Sequence, residues 1–354
     1  MSPFYYIETI ILWGIDSMIK VYGTETKKML NILILEILRT YSDQDHHLTQ
    51  QEIIRKLRAD YGVEKIDRRS VKANVKSLYD MGYPIVGIDE EDTETEGYYL
   101  EEREFEDAEL RMLIDSVLFS KTITGSSAKK LIEKLKGFGN IYFDAKVSHV
   151  KPTPLLHRTD NKSVLYNVGA INDAIDQKKK ITFRYNRYGT DMKMHDQGKD
   201  YVMNPYQMVA SNGHYYLLGN IDKYDNVTYY RIDKMSKVEI LDEKVKPQKN
   251  VKGIDGNLDL PKHMAEHIYM LCGESVNASI KTDVGMMDTL VDWFGKDFRI
   301  LEQRDNDITI SVKCNERALF YWALQYGPHV EVVGPEGLRR KLAEAIEEMR
   351  AKYL

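Results

Sequence analysis

Cysteine is almost missing from this chain of 354 residues: only Cys272 and Cys314 occur. Two thiols cannot make the usual four-ligand zinc site without two histidines. Both sit in apolar, strand-like or helical contexts and read as buried free thiols, in keeping with a cytoplasmic protein. Long apolar runs are missing too. The nearest, from Tyr5 to Trp13, is interrupted by Glu8, lacks a basic flank and is too short to span a bilayer, so no membrane partner is expected. Residues 1–17 read either as an extension ahead of a start at Met18 or as a docking segment. Positive charge is not in excess: 50 Lys and Arg stand against 55 Asp and Glu, a net of -5. This argues against a protein that coats nucleic acid without selection and confines any basic surface to a local patch. Catalytic signatures are wanting as well. No Walker sequence or nucleophile motif occurs, and Gly137-Phe138-Gly139 lacks both the third glycine and the preceding strand of a dinucleotide loop. The chain is not expected to be an enzyme or to carry a cofactor.

What is present is an ordinary globular composition, 43% hydrophobic and 30% charged, long enough for two or three domains with a core each. After a tail at 1–26, residues 27–102 read as three helices and a strand pair. Residues 27–41 are apolar almost all round, as a helix wedged inside a small domain is. The second helix starts at Thr49, with Glu52 three residues on as a capping box and Leu48 and Ile53 at hydrophobic-staple spacing. The third starts after Asp67, a good N-cap, and runs to Met81. On this third helix Val71, Val75, Leu78 and Tyr79 share an inward face. Arg69, Ser70, Ala73, Lys76 and Ser77 face outward, with Lys72 and Asn74 on the flanks. A small Ala at the centre lets a helix approach base edges, while Arg68, Arg69, Ser70, Lys72, Asn74 and Lys76 supply base and phosphate contacts. An isolated helix with such a face is more simply solvated. Two preceding helices and a following strand pair (83–88 and 97–100) make it a helix-turn-helix reader of duplex DNA. One feature opposes this. Between the strands, residues 89–96 hold six acids in eight, and residues 83–110 set twelve acids against Arg103 alone, which phosphates would repel.

Residues 103–160 read as two helices, 106–120 and 127–136, of the kind that set the spacing of two protomers, and Pro152 and Pro154 mark a connection. Residues 161–245 read as a helix at 164–178, then strands at 181–188, 201–210, 214–220, 227–234 and 238–241. Ten of the 24 tyrosines lie between 166 and 230. Buried phenols need partners, so a dense set favours a surface groove for several of them. The strand His214-Tyr215-Tyr216-Leu217-Leu218-Gly219-Asn220 is entered by the turn Asn212-Gly213, and the next strand ends on Tyr230-Arg231-Ile232-Asp233-Lys234. After a connection at 246–274, residues 275–354 alternate as βαββαβ plus a helix, which suggests a ferredoxin-like sandwich.

The pattern at 214–220, with Ile181-Thr182-Phe183-Arg184-Tyr185, Asn204-Pro205-Tyr206 and 230–234, resembles WYL domains. Their usual Trp-Tyr-Leu reads Tyr215-Tyr216-Leu217 here, which keeps a ring but loses the indole donor. Residues 66–87 with 97–100 are similar to the winged helix that precedes WYL domains, with Arg69-Ser70 in place of an Arg-Thr pair. Residues 322–339 resemble the C-terminal extension of WYL regulators. The resemblance implies an Sm-like β-barrel and an α+β multidomain regulator. Its barrel would sense a nucleotide, a single-stranded nucleic acid or another anion through Arg184, Tyr185, Tyr206, His214, Tyr216, Arg231 and Lys234. Arginine and lysine would neutralise phosphate while tyrosines stack. A plainer reading makes Arg231 an ion-pair partner of Asp233. The expected partners are a double-stranded operator and a second copy of the chain. An alternative is an accessory protein of a phage-defence (CRISPR-type) system that binds single-stranded RNA or DNA.

His263-Met264-Ala265-Glu266-His267 fits H-x-x-E-H, a zinc pattern. Three fixed positions recur by chance, and no downstream acidic ligand is evident, so no metal is expected.

Overall fold

The computed structural model describes residues 29–88, 97–147, 158–254 and 259–354. The chain divides into two compact units, Met1–Arg158 and Thr159–Leu354. The acidic run 89–96 and Pro152 and Pro154 lie outside the described residues, as do residues 1–17. Among the described residues, no helix is long and apolar enough to cross a membrane.

In the first unit, helices α1 (Leu30–Tyr41), α2 (Gln50–Tyr61) and α3 (Arg68–Asp80) pack around one core with strands β1 (Ile85–Val86) and β2 (Tyr99–Leu100). Ile34, Ile37, Leu38, Ile53, Leu57, Val71 and Val75 are fully buried in it. Thr49 and Glu52 form the expected capping box, and Asp67 accepts from the Ser70 amide. Three expectations fail. Ile32 on α1 is 61% exposed, so that helix has an open side. Tyr79 is 43% exposed, because the buried stripe of α3 is narrow (Val71, Val75, Leu78) and Tyr79 lies about 80° round from Val71. The antiparallel strand pair is also shorter than 83–88 and 97–100: only Ile85 and Val86 pair, with Leu100 and Tyr99. Gly97, at φ 79°, lies so close to Leu48 that a Cβ would stand 2.7 Å from its carbonyl carbon. Helices α4 (Asp107–Phe119), α5 (Gly125–Lys136) and α6 (Ile141–Lys146) follow around a smaller core of Leu110, Ile114, Leu118, Ile132 and Phe143.

In the second unit, α7 (Val164–Asp176) precedes β3 (Lys179–Tyr188), β4 (Met194–Ser211), β5 (His214–Asn220), β6 (Thr228–Arg231), a 3-10 turn (Ile232–Lys234) and β7 (Met235–Lys244). The antiparallel sheet runs β6-β5-β4-β3-β7. Its outermost strands, β6 and β7, are consecutive in the chain and joined by three residues, so the sheet must curl to bring their linked ends within reach. Ile181, Phe183, Met203, Leu217, Ile232, Met235 and Val238 fill the interior under α7. Asn212 (φ 51°) and Gly213 (φ 76°) both have positive φ, the two-residue hairpin turn that suits strand twist.

A short helix α8 (Leu260–Glu266) leads to β8 (Ser275–Asp283), α9 (Met287–Phe294), β9 (Arg299–Arg304), β10 (Asp307–Asn315), α10 (Glu316–Gln325), β11 (Val330–Gly334) and α11 (Glu336–Ala351). The sheet is antiparallel in the order β11-β8-β10-β9. Its inner face (Ala278, Ile280, Ile310, Val312) packs on Leu290, Phe294, Leu319, Trp322 and Leu342. The free edge β9 carries Arg299, Glu302 and Arg304 and a register shift near Leu301, features that discourage pairing with another strand.

Candidate nucleic-acid and ligand sites

The outward side of α3 is set by its inner one. With Val71, Val75 and Leu78 buried, Arg68, Arg69, Lys72, Ala73 and Lys76 are exposed and Ser70 and Asn74 half-exposed. Asp67 holds the first turn: its carboxylate accepts from the Ser70 amide at 2.7 Å, and these bonds from Ser70 keep its pKa below the usual carboxylate value. The Asn74 amide donates to the Ser70 carbonyl at 2.7 Å, which draws its head group back along the helix. Lys76 lies 3.6 Å from Asp80, a long and solvated pair. The four basic residues of α3 thus stand on an exposed side, between the carboxylates of Asp67 at its start and Asp80 at its end. All six residues expected to meet DNA lie on this one short helix.

In the five-stranded sheet the register places Tyr216 directly opposite Arg231, and Leu217 opposite Tyr230. The Arg231 guanidinium is held by Asp233, whose two oxygens accept from Nε at 3.1 Å and Nη2 at 2.7 Å. Asp233 is 1% exposed. The plainer reading of Arg231 is therefore met in the geometry, and its fork is fixed by the pair. The Arg231 amide donates to the Tyr185 hydroxyl at 3.4 Å, and Tyr185 stands edge-on to Tyr230 with centroids 4.9 Å apart. Burial pushes the phenols of Tyr185 and Tyr216 up, so both remain neutral donors. Lys234 lies 5.8 Å from the ring centre of Tyr188. Burial, then Arg231 and Arg187 as neighbouring cations, hold its pKa below the usual lysine value, against the pull of Asp233. His214 stands edge-on to Tyr216 at 6.5 Å.

The structure thus brings Tyr185, His214, Tyr216, Arg231 and Lys234 to one region and takes two expected residues out of it. Arg184 is spent on Asp196 and Asp200, both at 2.9 Å. Tyr206 is buried in a separate apolar cluster with Leu218, Val227, Val251 and Ile254; its hydroxyl donates to the Lys246 carbonyl at 2.7 Å. Burial pushes its pKa up to about 12. Arg187 and Tyr188 were missed. Their signal was the run Arg184-Tyr185-Asn186-Arg187-Tyr188, in which arginine and tyrosine recur after a bulge in the pairing of β3 with β4. Tyr215, in the tryptophan place of the signature, packs on the barrel core. An open pocket of about 600 Å³ lies elsewhere, lined by Phe320 and Tyr321, by Glu316, Glu344 and Glu348, and by Arg317 and Lys341, the last paired with Glu316.

A WYL domain matches residues 167–240 and a WCX domain residues 274–350. The chain thus carries a WYL domain and a WCX domain. The match spans the tyrosine and cation cluster, and the WCX domain spans the four-stranded sheet with α9, α10 and α11. No curated protein matches the chain. Among solved structures it is similar to proteasome accessory factor B/C (PafBC) of Arthrobacter aurescens, at 16% identity and a TM-score of 0.29, over 97% of this chain and 51% of that one. It thus spans about half the length of that protein. It is also similar to a CRISPR Cas-related protein, at 13% identity and a TM-score of 0.36, over 100% of this chain and 92% of that one.

In the H-x-x-E-H segment the two histidines meet Tyr229 and each other. His263 Nε2 is 2.6 Å from the Tyr229 hydroxyl, and the Gly253 carbonyl serves the same ring. His267 stacks on His263 with centroids 4.4 Å apart, and Glu266 pairs with Lys313. Among the described residues, no group of histidines, cysteines and acids is arranged to hold a metal.

Proposed function

We propose that the protein is a cytoplasmic DNA-binding transcriptional regulator whose WYL barrel binds an anionic ligand bearing a base, a nucleotide or a single-stranded nucleic acid. The observation that carries the ligand reading is the meeting of Tyr216, Tyr185 and Tyr188 with Arg231, Lys234 and Arg187. Planar faces for stacking beside charges for phosphate are the chemistry of single-strand recognition. The exposed basic side of α3, following two helices and preceding a strand pair, supports a winged helix whose third helix enters the major groove. The rolled five-stranded sheet supports an Sm-like barrel, and the β11-β8-β10-β9 order supports a ferredoxin-like C-terminal domain. Two copies would read inverted half-sites. The role is one of binding, not catalysis.

Fluorescence anisotropy with labelled single-stranded oligonucleotides, nucleotides and duplex fragments tests this directly. Duplex binding that is lost in Arg69→Ala, and altered by single strand or nucleotide only while Arg187 and Lys234 are intact, is the expected result. Single-strand binding with no duplex binding at any salt would favour the accessory defence protein instead.

A further inference from the structure

The outer side of α4 carries a stripe that the first unit leaves uncovered. Leu110, Ile114 and Leu118 face the core. At 100° per residue, Ala108, Met112, Ser116 and Phe119 fall within a sector of about 80° on the opposite side. All four are exposed, Met112 at 71% and Phe119 at 61%. Single exposed apolar residues are common, but here they alternate with small ones in the order small, large, small, large.

We propose that this stripe is the contact between two copies of the chain, with α4 packed antiparallel on its symmetry mate. This deepens the dimer in the functional reading and does not depend on the DNA or ligand parts of it. A two-fold contact must be complementary to itself. Placing the axis at the level of Leu113 and Ile114 sets Phe119 of each copy over Ala108 of the other and Met112 over Ser116, so a large side chain meets a small one at every level. The same register brings the first turn of the helix, where the Glu106 carboxylate takes part in the capping box, level with Lys121 just past the end of the other copy, twice by symmetry. Antiparallel helix dipoles add to the attraction. Arg111 and Asp115 neutralise each other at 2.9 Å along the border and leave no net charge there. One helix pair covers less than the roughly 1,200–2,000 Å² of a stable interface, so association is expected to be weak without DNA.

Sedimentation of the full chain without DNA, up to about 200 µM, tests the contact on the scale of weak complexes. The wild type is expected to be in monomer–dimer exchange. Ala108→Phe, which sets ring against ring, and Phe119→Ala, which leaves a gap, should each weaken it by about tenfold or more. The double variant Ala108→Phe/Phe119→Ala exchanges the two roles and should restore it. Met112→Cys/Ser116→Cys, in a Cys272→Ser background, should cross-link between copies under oxidation. A wild type that stays monomeric throughout, with no cross-link, overturns the proposal. So does a dimer indifferent to all three size variants, which would place the meeting of two copies elsewhere and leave the dimeric reader standing. Operator binding by a monomer would remove that reader and not only this surface.

Discussion

The three cations of the barrel site differ in what else they do, and the difference is measurable. Arg231 is paired with the buried Asp233, whereas Lys234 and Arg187 make no ion pair among the described residues. Removing one partner of a fully buried pair costs about 3–5 kcal/mol, because the other charge is left uncompensated. The Arg231 side chain is 23% exposed, so water reaches it; discounting for that gives about 2–3 kcal/mol for Arg231→Ala. In a unit of this size the melting temperature should fall by roughly 4–12 °C. Arg187→Ala and Lys234→Ala break no such pair and should stay within about 0.5 kcal/mol of wild type in stability. Each should nevertheless lose about 1.5–3 kcal/mol of affinity for a phosphate-bearing ligand, the worth of a charge-assisted hydrogen bond. The assay is scanning calorimetry beside anisotropy titration with single-stranded oligonucleotides and nucleotides. If Arg187→Ala and Lys234→Ala both bind every such ligand as the wild type does, the ligand site is elsewhere. If Arg231→Ala melts like wild type, the reasoning about the buried pair fails.

On α3, Arg69→Ala should cost about 1–3 kcal/mol and relax preference at one base position, whereas Lys76→Ala should weaken all sequences evenly and reduce the salt slope by about one; an unchanged footprint with Arg69→Ala would contradict this. Tyr206→Phe should cost about 1 kcal/mol of stability for its lost hydrogen bond and, like Arg184→Ala, leave ligand affinity alone; weakened binding in either would return them to the site. His263 supplies a pH test. Burial and its His267 neighbour lower its folded pKa to about 4, below the ordinary value of about 6.5 that the unfolded chain keeps. Its contribution is full above pH 6.5 and is lost as pH falls from there towards 4. At about 1.4 kcal/mol per unit the loss is roughly 2–3 kcal/mol, and His263→Gln should remove that part of the slope in urea unfolding between pH 7 and pH 4.5.

Much of the fold was legible because burial leaves a period in the sequence. Strand β5 reads from its alternation and its Asn212-Gly213 turn, and the helices from Thr49, Asp67 and their apolar stripes. The first half of β4 was not legible. Met194 to Asp200 is polar at almost every position, and that segment is held by pairing with β3, as between Asn186 and Asp196, and not by a core. Lys234 reads as the end of a strand, but the chain turns at Ile232 because it must pass from one edge of the sheet to the other. Tyr206 misled for a related reason. A shift in register between Pro205 and Gln207 changes which side the chain presents, and alternation alone does not locate such a shift. The α3 residues were legible together because a helix fixes their relative angles; the barrel residues come from β3, β5, β6 and a turn, which only tertiary structure brings near one another.

The three-residue turn that joins β6 to β7 holds Asp233 and Lys234, and Arg231 stands at its threshold. The cations thus sit on the clasp of the rolled sheet. Tyr185, reaching from β3 to the Arg231 amide, is its catch. A ligand that engages Arg231 and Lys234 would touch the turn that links the two outermost strands, and that turn is already braced by an anion, the carboxylate of Asp233. An incoming phosphate meets a guanidinium that has a resident partner. It must either share that guanidinium or displace the carboxylate, and displacement would free a buried charge at the joint. On the proposed reading, a side chain that would recognise the ligand, Arg231, is also one that braces the turn between β6 and β7 through Asp233.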